Sequence, residues 1–360
     1  MNSRERVLTA LAHREPDRVP IHADFTPEAA TKLARHLKLA DATAEAYSGE
    51  TSEIGLVMGH DLLVAWHGIA TSYYAEPTET YTCEWGIVWQ WVDIPDGRYT
   101  EMMRRPLSDS QNLETWNPPD ATEEWRYDAV KRLLAERGET HAIVGGMPCT
   151  LFEAAWYLRG YQEFLTDMLM DKDFAHAFLE KILQFQLITG TRLADLGVDI
   201  IWIGDDFGTQ RGPLISIELW REFFKPRYEK LISTFKTVNP GVKIAYHSDG
   251  NIEELLPEYI EIGVDIYNAV QPKANDIGRL KRRFGDRLSF WGTVDIQEVM
   301  PYGTPENVHE EVQRRILEAG PGGGLILAPS HNIQPDVPLE NILAFYEAAH
   351  RYGKYPLGIR

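Results

Sequence analysis

Short apolar runs recur along the chain at VPIHAD (19–24), DLLVAW (61–66), HAIVGGM (141–147), DIIWIGD (199–205), KIAYHSD (243–249), DIYNAV (265–270), LSFWGTV (288–294) and GLILAPS (324–330), and stretches of helical periodicity separate them. Each run is rich in β-branched or aromatic residues and has the length of a strand, not of a helix. Strands that alternate with helices call for a parallel sheet, because parallel neighbours need a crossover connection. Eight such units is the number that closes on itself, so the fold class expected is α/β, a (β/α)8 TIM barrel. The helical intervals carry matching end signals. Val308, Val312, Ile316 and Ala319 share one face of a helix that Thr304 and Pro305 open and Gly320 ends. After the fifth run, Asn251 and Glu254 have capping-box spacing, and a helix is expected from Ile252 onward.

One interval breaks the pattern. Residues 68–118 contain TYTCEWGIVWQWVDIPDGRYTEMMRRPL, whose alternation around Pro95, Asp96 and Gly97 predicts a β-hairpin inserted before the third barrel strand. Trp85, Trp89 and Trp91 fall on one face of that hairpin, a spacing that suits packing on the barrel and also an aromatic lid. With no low-complexity linker or short-period repeat, a single domain over 1–360 with this insertion is expected.

In such a barrel the residues that follow each strand share one rim, where this fold carries its chemistry. The rim list is Asp24; Trp66 and His67; Met147 and Cys149; Asp205 and Asp206; His247 and Asp249; Asn268 and Gln271; Thr293 and Asp295; Ser330 and His331. Caps and turns alone explain many of these, because Asp, Asn and Ser favour such positions. Histidines and carboxylates converging on one rim nevertheless point to a site. Asp205 and Asp206, followed by Gln210 and Arg211, offer a paired carboxylate from which one member faces inward as an acid or a metal ligand.

Charge narrows the partners. The formal net charge is −18 and the pI about 5.1, which disfavours nucleic acid and anionic membrane. The apolar runs fall far short of the ~20 residues that cross a bilayer, and MNSRERVLTALAHREPDR reads as a charged helix, so a cytoplasmic protein is expected. Cys83 and Cys149 form no CxxC pair, which argues against a disulfide framework or a thiolate-rich zinc site.

The stretches RERVLTALAHREPDRVPI, RGYQEFLTDMLMDKDFAHAFLEKI, DDFGTQRGPLISIELWREFFKPRYEKL, HSDGN and SHNIQPDVPLENILAFYEAAHRYG together resemble the uroporphyrinogen decarboxylase-like superfamily over essentially the whole chain. The resemblance implies a (β/α)8 barrel and one of two chemistries: cofactor-free decarboxylation of uroporphyrinogen, or zinc-dependent methyl transfer involving a corrinoid protein. Decarboxylases of the superfamily carry an arginine-rich MRQAGRY-like stretch after the first strand, suited to pairing with carboxylates. Here that place reads HADFTPEAATKL, with no arginine before Arg35. Where they have a catalytic aspartate in an FSD-like context after the second strand, this chain has AWHG, with Trp66 and His67.

Superfamily methyltransferases that act on coenzyme M bind zinc through His-x-Cys after the fifth strand and a Cys after the eighth. The matching positions here are His247, Asp249 and His331, so the resemblance implies a zinc ion held by nitrogen and oxygen donors. Such an ion is better suited to polarising an oxygen than to tuning a thiolate. The expected function is therefore methyl transfer from a small methyl ether, preferentially aromatic, to a corrinoid carried by a partner protein. Asp205 and Asp206 are the catalytic candidates, and Asp24, His67, Gln210, Arg211, Asn268 and Gln271 are the substrate-binding candidates. A homodimer is compatible with this reading. Two alternatives stay open: a decarboxylase, and a non-catalytic barrel that binds a tetrapyrrole or other small ligand.

Overall fold

The computed structural model describes residues 1–39, 53–73, 75–76, 78–94 and 97–358. The described residues form ten strands: β1 (Leu62–Trp66), β2 (Thr80–Thr82), β3 (Val88–Ile94), β4 (Gly97–Arg104), β5 (Ala142–Pro148), β6 (Ile200–Gly204), β7 (Lys243–His247), β8 (Ile266–Ala269), β9 (Ser289–Val294) and β10 (Leu325–Pro329). A seven-stranded sheet runs in the order β1-β5-β6-β7-β8-β9-β10, every neighbouring pair parallel.

The first expected strand, residues 19–24, is reduced to a bridge that closes this sheet into a barrel. Leu327 N donates to Pro20 O and His22 N to Leu327 O on the β10 side, while Asp61 N donates to Ile21 O on the β1 side. No full ladder forms, for two reasons visible in the residues. Pro20 has no N–H to give, and the N–H of Ile21 is taken by the Asp61 carboxylate at 2.8 Å.

Period-two alternation divides the strand residues between two apolar layers. Leu62, Val64, Ala142, Val144, Ile200, Trp202, Trp291 and Ile326 fill the barrel interior, with Val7 and Leu11 of the N-terminal helix Ser3–Leu11 plugging the bottom. Their neighbours Leu63, Ile143, Ile201, Ile244, Phe290 and Leu327 face the surrounding helices. Ion pairs fasten the plug: Arg6 and Arg18 each reach the buried Asp61 at 2.6 Å, and Arg4 reaches Asp199 at 2.9 Å.

The insertion between β1 and β5 is an antiparallel sheet, β2-β3-β4, so the hairpin gains a third, short strand. Its turn residues Pro95 and Asp96 lie outside the described residues. The three tryptophans part company. Trp85 packs edge-on against Phe185, Trp89 against Tyr73, and Trp91 carries the Arg98 guanidinium at 3.8 Å.

The helix expected from Ile252 begins at Leu256 instead. Asn251 is drawn into a bridge with Thr209, its N–H donating to Thr209 O at 2.8 Å, and Pro257 then sets the first helical turn. The helix Pro305–Ala319 forms as read, with a capping box between Thr304 and Asn307.

Candidate active site

Two glycines bring the loops after β6 and β7 into contact. A Cβ on Gly208 would stand 2.2 Å from Asp249 O, and one on Gly250, at φ +74°, would meet the Gly208 backbone at 2.5 Å. In this close approach Asp249 N donates to Asp206 Oδ1 at 2.8 Å. One ligand atom each from Asp206, His247 and Asp249 then lie within 4.8 Å of one another. His247 Nε2 is 3.6 Å from Asp206 Oδ1 and 3.8 Å from Asp249 Oδ1. Gln271 stands beneath, accepting the Gly250 N–H at 2.8 Å, and so holds the loop without reaching the cavity. Burial pushes the Asp249 carboxyl above its ordinary value, with His247 pulling the other way.

His331 lies outside this three-residue cluster. It sits exposed at the mouth, its ring centroid 6.4 Å from that of His247. Asp206 takes the inward position after β6, and Asp205 does not face the cavity at all. Asp205 is fully buried and accepts the backbone N–H groups of Leu151, Phe152 and Glu153 at 2.8–2.9 Å, together with the Tyr228 hydroxyl. Burial lifts its carboxyl to about 6, opposed by these donors. It fastens the N-terminus of the helix Phe152–Arg159 to the barrel.

That helix delivers a carboxylate the strand-end list passed over. Glu153 lines the cavity, and burial, reinforced by Asp206 and Asp205, pushes its pKa well above the carboxylate range. It comes five residues after the end of β5, so a list that stopped at the strand ends could not reach it. Tyr73, Tyr157, His22 and His60 were missed as well. His22 had been readable as an inward neighbour of Asp24, but Tyr73 and Tyr157 enter from the insertion and a helix, where no periodicity marks them.

The cavity encloses about 390 Å³. Trp66, Trp202 and Trp291 form its floor, Trp66 edge-on to Trp202 at 5.3 Å and Trp202 tilted over His247 at 4.8 Å. Gly146 makes room for this, since a Cβ there would stand 2.2 Å from the Trp66 ring. One wall is Tyr73, Cys149 and Tyr157, with the Tyr73 hydroxyl 3.5 Å from Cys149 Sγ. Opposite are Asp24, His22 and His60; His60 Nε2 pairs with the Tyr346 hydroxyl at 2.7 Å, and burial lowers both imidazole pKa values.

Asn268 also lines the cavity, its Oδ1 bound to His247 Nδ1 at 2.6 Å. The remaining substrate-binding candidates are elsewhere. His67 is buried against Tyr127 with ring centroids 5.9 Å apart, outside the cavity lining, because the strand alternation turns it into the helical layer. Gln210 and Arg211 are exposed at the tip of a turn closed by Thr209 N donating to Gly212 O.

Residues 90–352 match the family profile described as Uroporphyrinogen decarboxylase (URO-D). A methylated-thiol–coenzyme M methyltransferase of Methanosarcina mazei is 26% identical over 197 residues, covering 55% of this chain and half the length of that enzyme. A uroporphyrinogen decarboxylase of Pseudomonas syringae pv. syringae is 28% identical over 76% of this chain and 80% of its own length. Among solved structures, a methyltransferase from Methanosarcina mazei superposes with a TM-score of 0.72 over 98% of this chain and 99% of that one at 20% identity, a likeness of fold. No helix among the described residues is long and apolar enough to cross a membrane.

Proposed function

This chain belongs to the uroporphyrinogen decarboxylase (URO-D) family, and from that premise we propose that it is a metal-dependent methyltransferase that moves a methyl group from a small aromatic methyl ether to Co(I) of a corrinoid protein. The observation that carries the reading is the cluster of Asp206, His247 and Asp249 at one end of a cavity walled by aromatic rings. The likeness to a methylated-thiol–coenzyme M methyltransferase supports the reaction class.

The donor set fits a divalent ion. Asp249 Oδ1 is buried and has no hydrogen-bond partner, a costly arrangement for a carboxylate unless a cation answers it. Asp206, His247 and Asp249 would hold the ion, with His331 near enough to the mouth to act on what binds there. Two carboxylates and an imidazole suit zinc, with the borderline-hard character expected of nitrogen and oxygen donors. When bound, the ion supplies Lewis acidity to the ether oxygen, the atom on which negative charge develops.

The protein's own groups do the rest. Trp66, Trp202 and Trp291 present ring faces and edges for a planar donor, and Tyr73 and Tyr157 exclude water from the wall beside it. Asn268 fixes the orientation of the His247 ring. In the reaction the methyl–oxygen bond breaks, the methyl group passes to cobalt, which goes from Co(I) to Co(III), and a phenolate departs. An unassisted phenolate is a poor leaving group, so stabilisation of that oxygen is asked to supply several kcal/mol of barrier lowering.

The test is spectroscopic. Enzyme, reduced corrinoid protein and a panel of methoxyarenes are mixed, and conversion of the Co(I) band to methyl-Co(III) is followed. Turnover of methylamines or methylthiols with none of the ethers would reject the ether donor while keeping methyl transfer. No conversion with any donor would reject the enzyme reading.

A further inference from the structure

The cavity holds more information about its ligand than ring shape. Its described lining contains the carboxylates of Asp24, Glu153 and Asp206 but neither a lysine nor an arginine. Nor do the lining histidines on the Asp24 wall make up the deficit, since burial disfavours the charged form of both His22 and His60. His247 has carboxylates at 3.6 and 3.8 Å to match any charge it carries. If Asp206 and Asp249 are taken up by a divalent ion, the Asp24 carboxylate still faces the cavity.

We propose that the site selects an uncharged methoxyarene bearing a hydroxyl, such as a methoxyphenol or a methoxybenzyl alcohol, and rejects methoxybenzoates. This rests on the methyl-ether reading above and names the donor class within it. A benzoate entering this cavity would give up the hydration of its carboxylate with no lysine or arginine in the described lining to receive it, His331 being exposed to water at the mouth, and would meet the Asp24 carboxylate. A hydroxyl is different. The Asp24 carboxylate accepts hydrogen bonds, and a neutral O–H donates to it without adding charge. The indole floor then takes the ring, and a volume of about 390 Å³ falls in the range of small-molecule sites.

The experiment separates binding from turnover. Calorimetric titration of the full-length protein with 2-methoxyphenol, 4-methoxybenzyl alcohol, 4-methoxybenzoate and tetramethylammonium is paired with the methyl-transfer assay on the same compounds. The neutral ethers are expected to bind about tenfold or more tightly than the benzoate. Asp24→Lys, at a partly exposed rim position, is expected to narrow that gap. Benzoate binding as tightly as the alcohol overturns the inference, and if methyl transfer proceeds from the benzoate the methyl-ether reading survives alone. Tetramethylammonium binding more tightly than either neutral ether also overturns it, by pointing to a cationic donor. Neutral ethers preferred in binding but inert in transfer would leave the charge selection standing and remove the ether reaction. Absence of binding by every ether overturns both.

Discussion

His247 Nδ1 lies 2.6 Å from Asn268 Oδ1, and the orientation of that amide is settled by its other partners. Asn268 Nδ2 donates to Trp291 O at 2.9 Å, and the indole N–H of Trp202, which can only donate, reaches the same Oδ1 at 3.1 Å. Oδ1 is therefore an acceptor, Nδ1 carries the proton, and Nε2 offers its lone pair toward Asp206 and Asp249. A second neighbour that sets ligand tautomer typically affects metal affinity by about 10–100-fold. Protein purified without chelators is expected to carry close to one divalent ion per chain, and Asn268→Leu to weaken its retention by about tenfold or more in competition with a chromophoric chelator. Retention equal to that of the unsubstituted protein would deny Asn268 this role.

Adjacent Asp205 and Asp206 are expected to fail in different ways. Asp205→Ala strips the acceptor from three backbone N–H groups and the Tyr228 hydroxyl and should cost about 3 kcal/mol or more in urea unfolding. Asp206→Asn keeps an oxygen for the Asp249 N–H and should leave the unfolding midpoint nearly unchanged while lowering metal content. The reverse pattern would mean the two carboxylates have been assigned the wrong way round.

Decarboxylation of uroporphyrinogen should be undetectable above background, even at high protein concentration. The cavity lining among the described residues offers no guanidinium to pair with the substrate's carboxylates, and acids stand where they would dock. Appearance of coproporphyrinogen in that assay would reverse the choice between the two chemistries of the family.

Buried histidines should withdraw stability as the solution is acidified below about pH 6.5, while the raised carboxyls of Asp205, Glu153 and Asp249 act in the opposite sense because the folded chain takes up their protons first. Burial holds the His67 imidazole down at about 4, and lowers those of His22 and His60 as well. Between about 6.5 and 4 the unfolded chain binds a proton at His67 that the folded chain refuses, so this contribution is fully present above that window and is lost as pH falls through it. Replacing His67 by Phe preserves a ring against Tyr127 and should raise the thermal midpoint relative to that of the unsubstituted protein progressively as pH falls from 7.5 to 5. An unchanged slope would remove His67 from the account.

Several features needed nothing beyond the order of residues. Period-two runs separated by helical intervals were enough for the barrel, because a parallel strand cannot be joined to its neighbour without a crossover. Thr304, Pro305 and Gly320 marked the helix between them, because capping and φ restriction are local. The strand-end rule also brought Asp206, His247, Asp249 and Asn268 into one list, since strands of one barrel open onto one rim.

What the order of residues left undecided was which neighbour faces which way once a strand has ended. Beyond β6 there is no pleat to set direction, so Asp205 and Asp206 were equivalent until three amides at the start of the helix Phe152–Arg159 captured the first and the Gly208–Gly250 contact turned the second toward Asp249. The same holds for His67, which packs away from the cavity, and for Glu153, Tyr73 and Tyr157, which enter it from a helix and an insertion. Local chemistry decides elements and their ends. The inside of the cavity is made by contacts between residues distant in sequence, and only the packed chain determines those.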